Sequence, residues 1–160
     1  DISTRNFVYT SPTFTIATGT ISGIPNLQRL VVLQNKSTYG VTPVTNKIES
    51  LLNLITATVF SANKPVTLKR YRLATAPTGG TWTDQSVNSI FRYSTDTVIS
   101  LTNAELTLAI ELGTSDRFFE TTKILDLDLR SQPSDYIAYV LETTATSGTF
   151  RLSSGWKELF

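Results

Sequence analysis

Along most of the chain apolar and polar residues alternate with a period of two, the mark of strands that bury one face. The clearest stretch is 104–112. Leu106, Leu108, Ile110 and Leu112 fall on one face, and Glu105, Thr107, Ala109 and Glu111 on the other. A helix would scatter those four apolar side chains around its circumference, whereas a strand gathers them on the core side. In 124–130, Leu125, Leu127 and Leu129 likewise oppose Asp126, Asp128 and Arg130. Residues 27–35 are apolar on both faces, which predicts a central strand. Further strands are expected at 13–16, 54–60, 66–73, 98–101, 136–142 and 149–153, with Trp156 just beyond in the final strand. The link 61–65 reads as a hairpin between its two flanking strands, and Thr146-Ser147-Gly148 as the turn of a terminal hairpin.

Turn signals punctuate these runs at Ser22-Gly23-Ile24-Pro25, at 76–80, at Gln132-Pro133-Ser134-Asp135 and at Ser147-Gly148. About eight strands at this spacing predict an all-β fold, an antiparallel β-sandwich of jelly-roll-like form. At most one short helix is expected, at 46–55. There Asn46 and Glu49 could form a capping box, and Ile48, Leu51, Leu52 and Ile55 have helical spacing. The other reading of that segment is a loop leading into the next strand. Residues 1–12 carry few core signals despite Phe7, Val8 and Tyr9, and form a candidate N-terminal arm. Residues 13–160 then make a single domain, the count expected for 160 residues.

Composition narrows the chemistry. The chain has no histidine, cysteine or methionine. It therefore lacks the commonest general acid/base and the usual zinc and thiol ligands. Catalysis would rest on carboxylates or hydroxyls. Glu105 and Glu111 share a strand face about 20 Å apart, too far for a glycosidase pair. Asp126 and Asp128, with Asp84 or Asp116, could offer oxygens to calcium, but without the dense spacing of a dedicated loop. These observations predict a protein that is not an enzyme and holds no metal or cofactor. A net charge of +1, from 14 basic and 13 acidic residues, gives no nucleic-acid footprint. The one basic run, Lys69-Arg70-Tyr71-Arg72, reads as a solvated strand face. No apolar run is long enough to span a membrane. Threonine and serine are abundant while charged residues make up only 17%, a surface suited to packing against neighbours.

Candidate contacts are therefore aromatic. Trp82 follows Thr78-Gly79-Gly80-Thr81, and Tyr39, Phe91 and Tyr93 also fall in loop-like regions. Together they are the candidate platform for a ligand or an interface, a glycan being one possible partner. The alternative for Trp82 is that its loop folds back and caps the open end of the sandwich. Asn35-Lys36-Ser37 matches a glycosylation acceptor.

The C-terminal third adds a resemblance. Ile124-Leu125-Asp126-Leu127-Asp128-Leu129, the segment from Gln132-Pro133 to Tyr139-Val140, then Gly148-Thr149-Phe150-Arg151-Leu152 and Gly155-Trp156-Lys157-Glu158 form one series. It resembles the closing strands of small β-sandwich proteins on tailed-bacteriophage virions: capsid decoration (cement) proteins, head fibres and receptor-binding heads. The resemblance implies a jelly-roll-like fold, a homotrimer and a place on the outer surface of a virion, in contact with other virion proteins. The expected function is capsid decoration or fibre, with receptor or carbohydrate binding as the alternative.

Overall fold

The computed structural model describes residues 4–121 and 130–159, with the side chains of all of these except 118–121. The strand expected at 124–130 falls outside the described residues up to position 129. In chain order the strands are β1 (Thr4–Thr10), β2 (Phe14–Thr15), β3 (Thr20–Ile21), β4 (Ile24–Pro25), β5 (Leu27–Asn35), β6 (Thr38–Tyr39), β7 (Val44–Thr45), β8 (Glu49–Phe60), β9 (Val66–Arg72), β10 (Thr83–Asp84), β11 (Phe91–Ser94), β12 (Glu105–Leu112), β13 (Asp116–Thr121), β14 (Arg130–Ser131), β15 (Tyr136–Thr143) and β16 (Thr149–Leu159). There is no helix among the described residues.

Two antiparallel sheets face each other. One has the order β1-β16-β8-β13, with β2 added on β16 and β14 on β8; the other runs β10-β11-β5-β15-β9-β12. The chain changes sheet from β1 to β5, from β5 to β8, from β8 to β9, from β12 to β13, from β13 to β15 and from β15 to β16. Strands ordered β1-β16-β8-β13 opposite β5-β15-β9-β12 are a jelly roll. β10 and β11 extend the second sheet beyond β5.

This topology corrects both expected hairpins. β8 and β9 lie in different sheets, as do β15 and β16. The turn residues do reverse the chain, but a turn does not dictate which sheet receives the next strand. β16 instead pairs with β8 from Thr149↔Phe60 to Leu159↔Glu49, and on its other side with β1. Residues 1–12, read as an arm, thus include a strand paired in seven steps from Thr4↔Leu159 to Thr10↔Ser153. Phe7 of that strand stacks 6.3 Å from Trp156.

Three bulges shift the phase of the alternation. Register slips by one between β16 and β8, where Gly155 pairs with Leu54 and Trp156 with Leu52. Asn53 is the extra residue, so Leu52 and Ile55 both point inward. The apparent helical spacing at 46–55 is therefore strand alternation with a phase slip, and no helix forms. A second slip at Thr107 turns Leu106 outward, 49% exposed, while Ile110 and Leu112 stay buried. The four residues expected on one face are thus divided. A third slip, opposite Tyr139 and Val140, sends both Leu30 and Val31 into the main core. The expected strand at 98–101 is reduced to one bridge, Thr78↔Val98.

The inter-sheet core is filled by Leu33, Tyr139, Leu68, Phe150 and Trp156 among others. A second apolar layer lies on the outer face of the β5–β15 sheet. Val32, Ala138 and Val140 are covered there by Ile21, Leu73 and Ile99. β5 is thereby buried on both faces, as its composition predicts.

One end of the sandwich closes on Gly148, which has φ +122°. An added Cβ would lie 2.6 Å from the Ala62 Cα. Gly148→Ala should therefore cost more than about 1 kcal/mol, through backbone strain and overlap together. Gly23→Ala, with φ +76° and nothing within 4 Å, carries the strain alone and should cost less. Urea unfolding of both variants checks the order.

Candidate functional site

The four aromatic candidates do not meet in one place. Along β11 the side chains alternate, so Phe91 and Tyr93 face the main core and Arg92 faces outward. Phe91 is fully buried, its ring 4.6 Å from that of Trp156. This corrects its reading as an accessible loop residue: the connection before β11 is drawn between the sheets. Tyr93 is half-buried, 4.7 Å from Tyr9. Burial, and then Tyr93 beside it, push the Tyr9 phenol up to about 12. Tyr39 is half-buried on β6 and packs against the main core.

Trp82 lies on the opposite side, over the second apolar layer, with Tyr136 at 6.1 Å. The Arg92 guanidinium stands 4.4 Å above its ring, and Arg92 Nε also donates to the Gln34 amide oxygen. A cation–π contact thus occupies a face that a sugar would need. The loop folds back, and Trp82 caps the sheet.

The loop carrying Trp82 is pinned from both sides. Arg29 donates from Nε to the Thr95 carbonyl at 2.9 Å and from Nη1 to that of Thr97. Asp96 Oδ1 accepts from the Thr81 amide and the Ser94 hydroxyl, each at 2.8 Å. Those two bonds, the backbone one foremost, hold the Asp96 carboxyl below its ordinary value. Desolvation by burial lowers Arg29.

The basic run is only partly a solvated face. Lys69 pairs with Glu142, and that hydrogen bond raises the lysine. Arg70 is buried, which corrects its reading, and its Nε donates to Thr107 Oγ1 at 3.0 Å, at the bulge in β12. Asn35, the acceptor of the glycosylation match, is fully buried. Its Nδ2 donates to the carbonyls of Ile48 and Ser131, both at 3.1 Å, so the folded chain offers no acceptor there. Among the described residues no three Asp or Glu side chains converge as a metal site. No helix there is long and apolar enough to cross a membrane.

Sequence reasoning missed Glu158. It is fully buried between the sheets. Its carboxylate accepts from Ser89 Oγ at 2.7 Å, from Trp156 Nε1 at 2.8 Å and from the Ile90 amide at 3.1 Å. Ser89 Oγ in turn accepts from the Phe91 amide at 3.1 Å. One acid thus ties the 85–90 connection of the second sheet to the last strand of the first. The signal was available: Glu158 lies two residues after Trp156, on the same strand face. Burial raises its pKa above 4.5, against the pull of its three donors and of Arg5.

The most exposed apolar side chains project from connections. Val41 is 81% exposed and Val44 51% exposed on the β6–β7 hairpin, and Val98 is 66% exposed. The base of that hairpin is rigid. Asn46, buried, donates from Nδ2 to Asn35 Oδ1 and to the Lys36 carbonyl, both at 2.6 Å. Asn46 Oδ1 accepts from the Ile48 amide at 2.8 Å. No protein-family model matches the chain, and no curated protein matches it.

Removing the Glu158 carboxylate leaves three buried donors, so Glu158→Ala should cost about 2–4 kcal/mol. Above pH 4.5 the folded chain keeps a proton on Glu158 that the unfolded chain has lost. The contribution of Glu158 to stability therefore falls as pH rises from there through its raised folded value, and is constant beyond. Denaturant unfolding of wild type and Glu158→Gln between about pH 4 and about pH 8 should show that slope only in the wild type.

Proposed function

We propose that this chain is a non-catalytic structural protein of a virion, a bacteriophage capsid decoration or fibre protein that attaches to copies of itself and to neighbouring shell subunits. The observation that carries the reading is a division of labour among the side chains. The buried polar groups Glu158, Asn35 and Asn46 and the half-buried Arg29 are engaged in holding connections in place. Apolar side chains, Val41 foremost, are presented outward on those connections. Apolar groups held out on a rigid frame gain by being covered by a neighbour.

The jelly roll is compatible with this. Viral capsid proteins use it, though so do lectins and cupins, and a fold does not select a function. The resemblance of the C-terminal strands to phage virion proteins supports the choice among these, and a homotrimer at the particle surface is part of the proposal. The chemistry is association: each contact is small, and repetition over a particle converts weak contacts into firm attachment.

Two measurements test the reading. Immunogold electron microscopy, with an antibody raised against the purified chain, should label the heads or fibres of phage particles from the source culture. Light scattering on the purified chain should give a trimer mass. Unlabelled particles would remove the virion assignment. A glycan array probed with the chain should stay blank. Specific glycan binding that Trp82→Ala abolishes would instead favour a carbohydrate- or receptor-binding module.

A further inference from the structure

The two ends of the jelly roll differ in shape. From one end projects the β6–β7 hairpin, paired Thr38↔Thr45 and Tyr39↔Val44. Its turn is Gly40-Val41-Thr42-Pro43, with Gly40 at φ +96°. Residues 37–46 carry no charge, and Val41 is the most exposed large apolar side chain among the described residues. At the other end is a groove of about 470 Å³ lined by Ile24, Pro25, Pro65, Thr67, Glu142 and Thr144. The hairpin follows the last residue of β5, Asn35, while the groove adjoins Asn26, just before its first residue, Leu27. The nine residues of β5 separate the two by about 30 Å at ~3.3 Å per residue.

We infer that the β6–β7 hairpin of one copy seats in the Ile24–Pro25–Pro65 groove of a second copy, joining the chains head to tail. This rests on the reading of the chain as an assembly protein and names its self-contact. Four observations fit the hairpin of a second copy as the occupant. The groove, at about 470 Å³, has room for small side chains such as Val41, Thr42 and Pro43. Its apolar side includes Ile24, itself 46% exposed. Its one carboxylate, Glu142, is already closed on Lys69, so the site is charge-neutral, as is the hairpin. The buried Asn46 network orders the hairpin before it docks, so little freedom is lost on seating.

The contact is heterologous, because hairpin and groove are different surfaces at opposite ends. Such a contact closes into a ring or runs on as a filament, according to the rotation per step. A single hairpin tip buries less than the ~1,200 Å² of a stable interface, so the contact is weak in isolation and effective in an array.

The chain has no cysteine, which makes disulfide trapping clean. Full-length Val41→Cys/Thr144→Cys, oxidised at high protein concentration, should give a ladder of dimers, trimers and longer chains on a non-reducing gel. Adding Ile24→Asp to that variant should abolish the ladder while leaving its circular-dichroism spectrum and melting unchanged. Val41→Cys alone should run as a monomer on the same gel. Monomers only from the double variant would overturn the inference. So would a ladder that survives Ile24→Asp, or equally rapid dimers from Val41→Cys alone, which would mean a tip-to-tip contact. Immunogold labelling reads attachment to particles by a separate route, so loss of the ladder would leave the virion reading standing.

Discussion

A jelly roll must close its interior with connections, because its consecutive strands repeatedly change sheets. Each crossing carries backbone amides and carbonyls over the end of the core, where they need partners away from bulk water. Here both ends are closed by asparagine. At one, Asn63 donates from Nδ2 to Thr146 Oγ1 at 3.0 Å and accepts at Oδ1 from the Thr146 amide at 2.9 Å, while the Ala62 amide reaches the Thr114 carbonyl. Three connections are locked together there, and Gly148 is needed because a side chain would meet Ala62. At the other end Asn35 and Asn46 join the exit of β5 to the entry of β8 and to Ser131. An amide side chain both donates and accepts, so it can complete two strands' worth of orphaned backbone groups without bringing in a charge.

Glu158 performs a related task near that second end, where β16 meets the entry of β8, and does so with an ionisable group. A lone buried carboxylate would be costly, but this one meets three donors from two elements. The arrangement fixes where the 85–90 connection lies, and that connection delivers Phe91 onto Trp156. An electrostatic contact thus determines an apolar one. On the outer side Arg29 and Asp96 hold the Trp82 loop against the sheet, and Arg92 covers the indole. Aromatic residues that look available in the sequence are consumed by the packing that these polar contacts enforce.

The strands were legible because alternation survives in any single run: 27–35 coincides with β5, and 66–73, 104–112 and 136–142 nearly coincide with β9, β12 and β15. Phase was harder to read. One extra residue at Asn53 made a strand look helical, and one at Thr107 turned Leu106 out of the core, because a bulge leaves composition unchanged while reversing every face beyond it. Sheet membership was not legible at 61–65 or 144–148, since the residues that reverse a chain are the same for a hairpin and for a crossover. Among the candidate site residues, a folded-back Trp82 loop was one of two readings open from its glycine-rich surroundings, but the indole covers the outer face of the second sheet and not the open end of the sandwich. The burial of Phe91 was not visible, because it depends on Glu158, 67 positions away in the chain and adjacent only after folding.

Apolar side chains are exposed on strands too, Val8 on β1 at 46% and Leu106 on β12 at 49%, but the most exposed, Val41, lies at an end of the sandwich. The outer face of the second sheet is roofed by its own long connection, and the inner faces are filled. What remains to vary freely is the length and composition of crossings that the asparagine contacts already hold rigid. One crossing is drawn out into an uncharged hairpin, whereas those at the far end stay short and leave a recess. A particle with two alike ends can meet its copy symmetrically. One with a knob at one end and a hollow at the other has a direction, and direction is what an extending or ring-forming assembly requires.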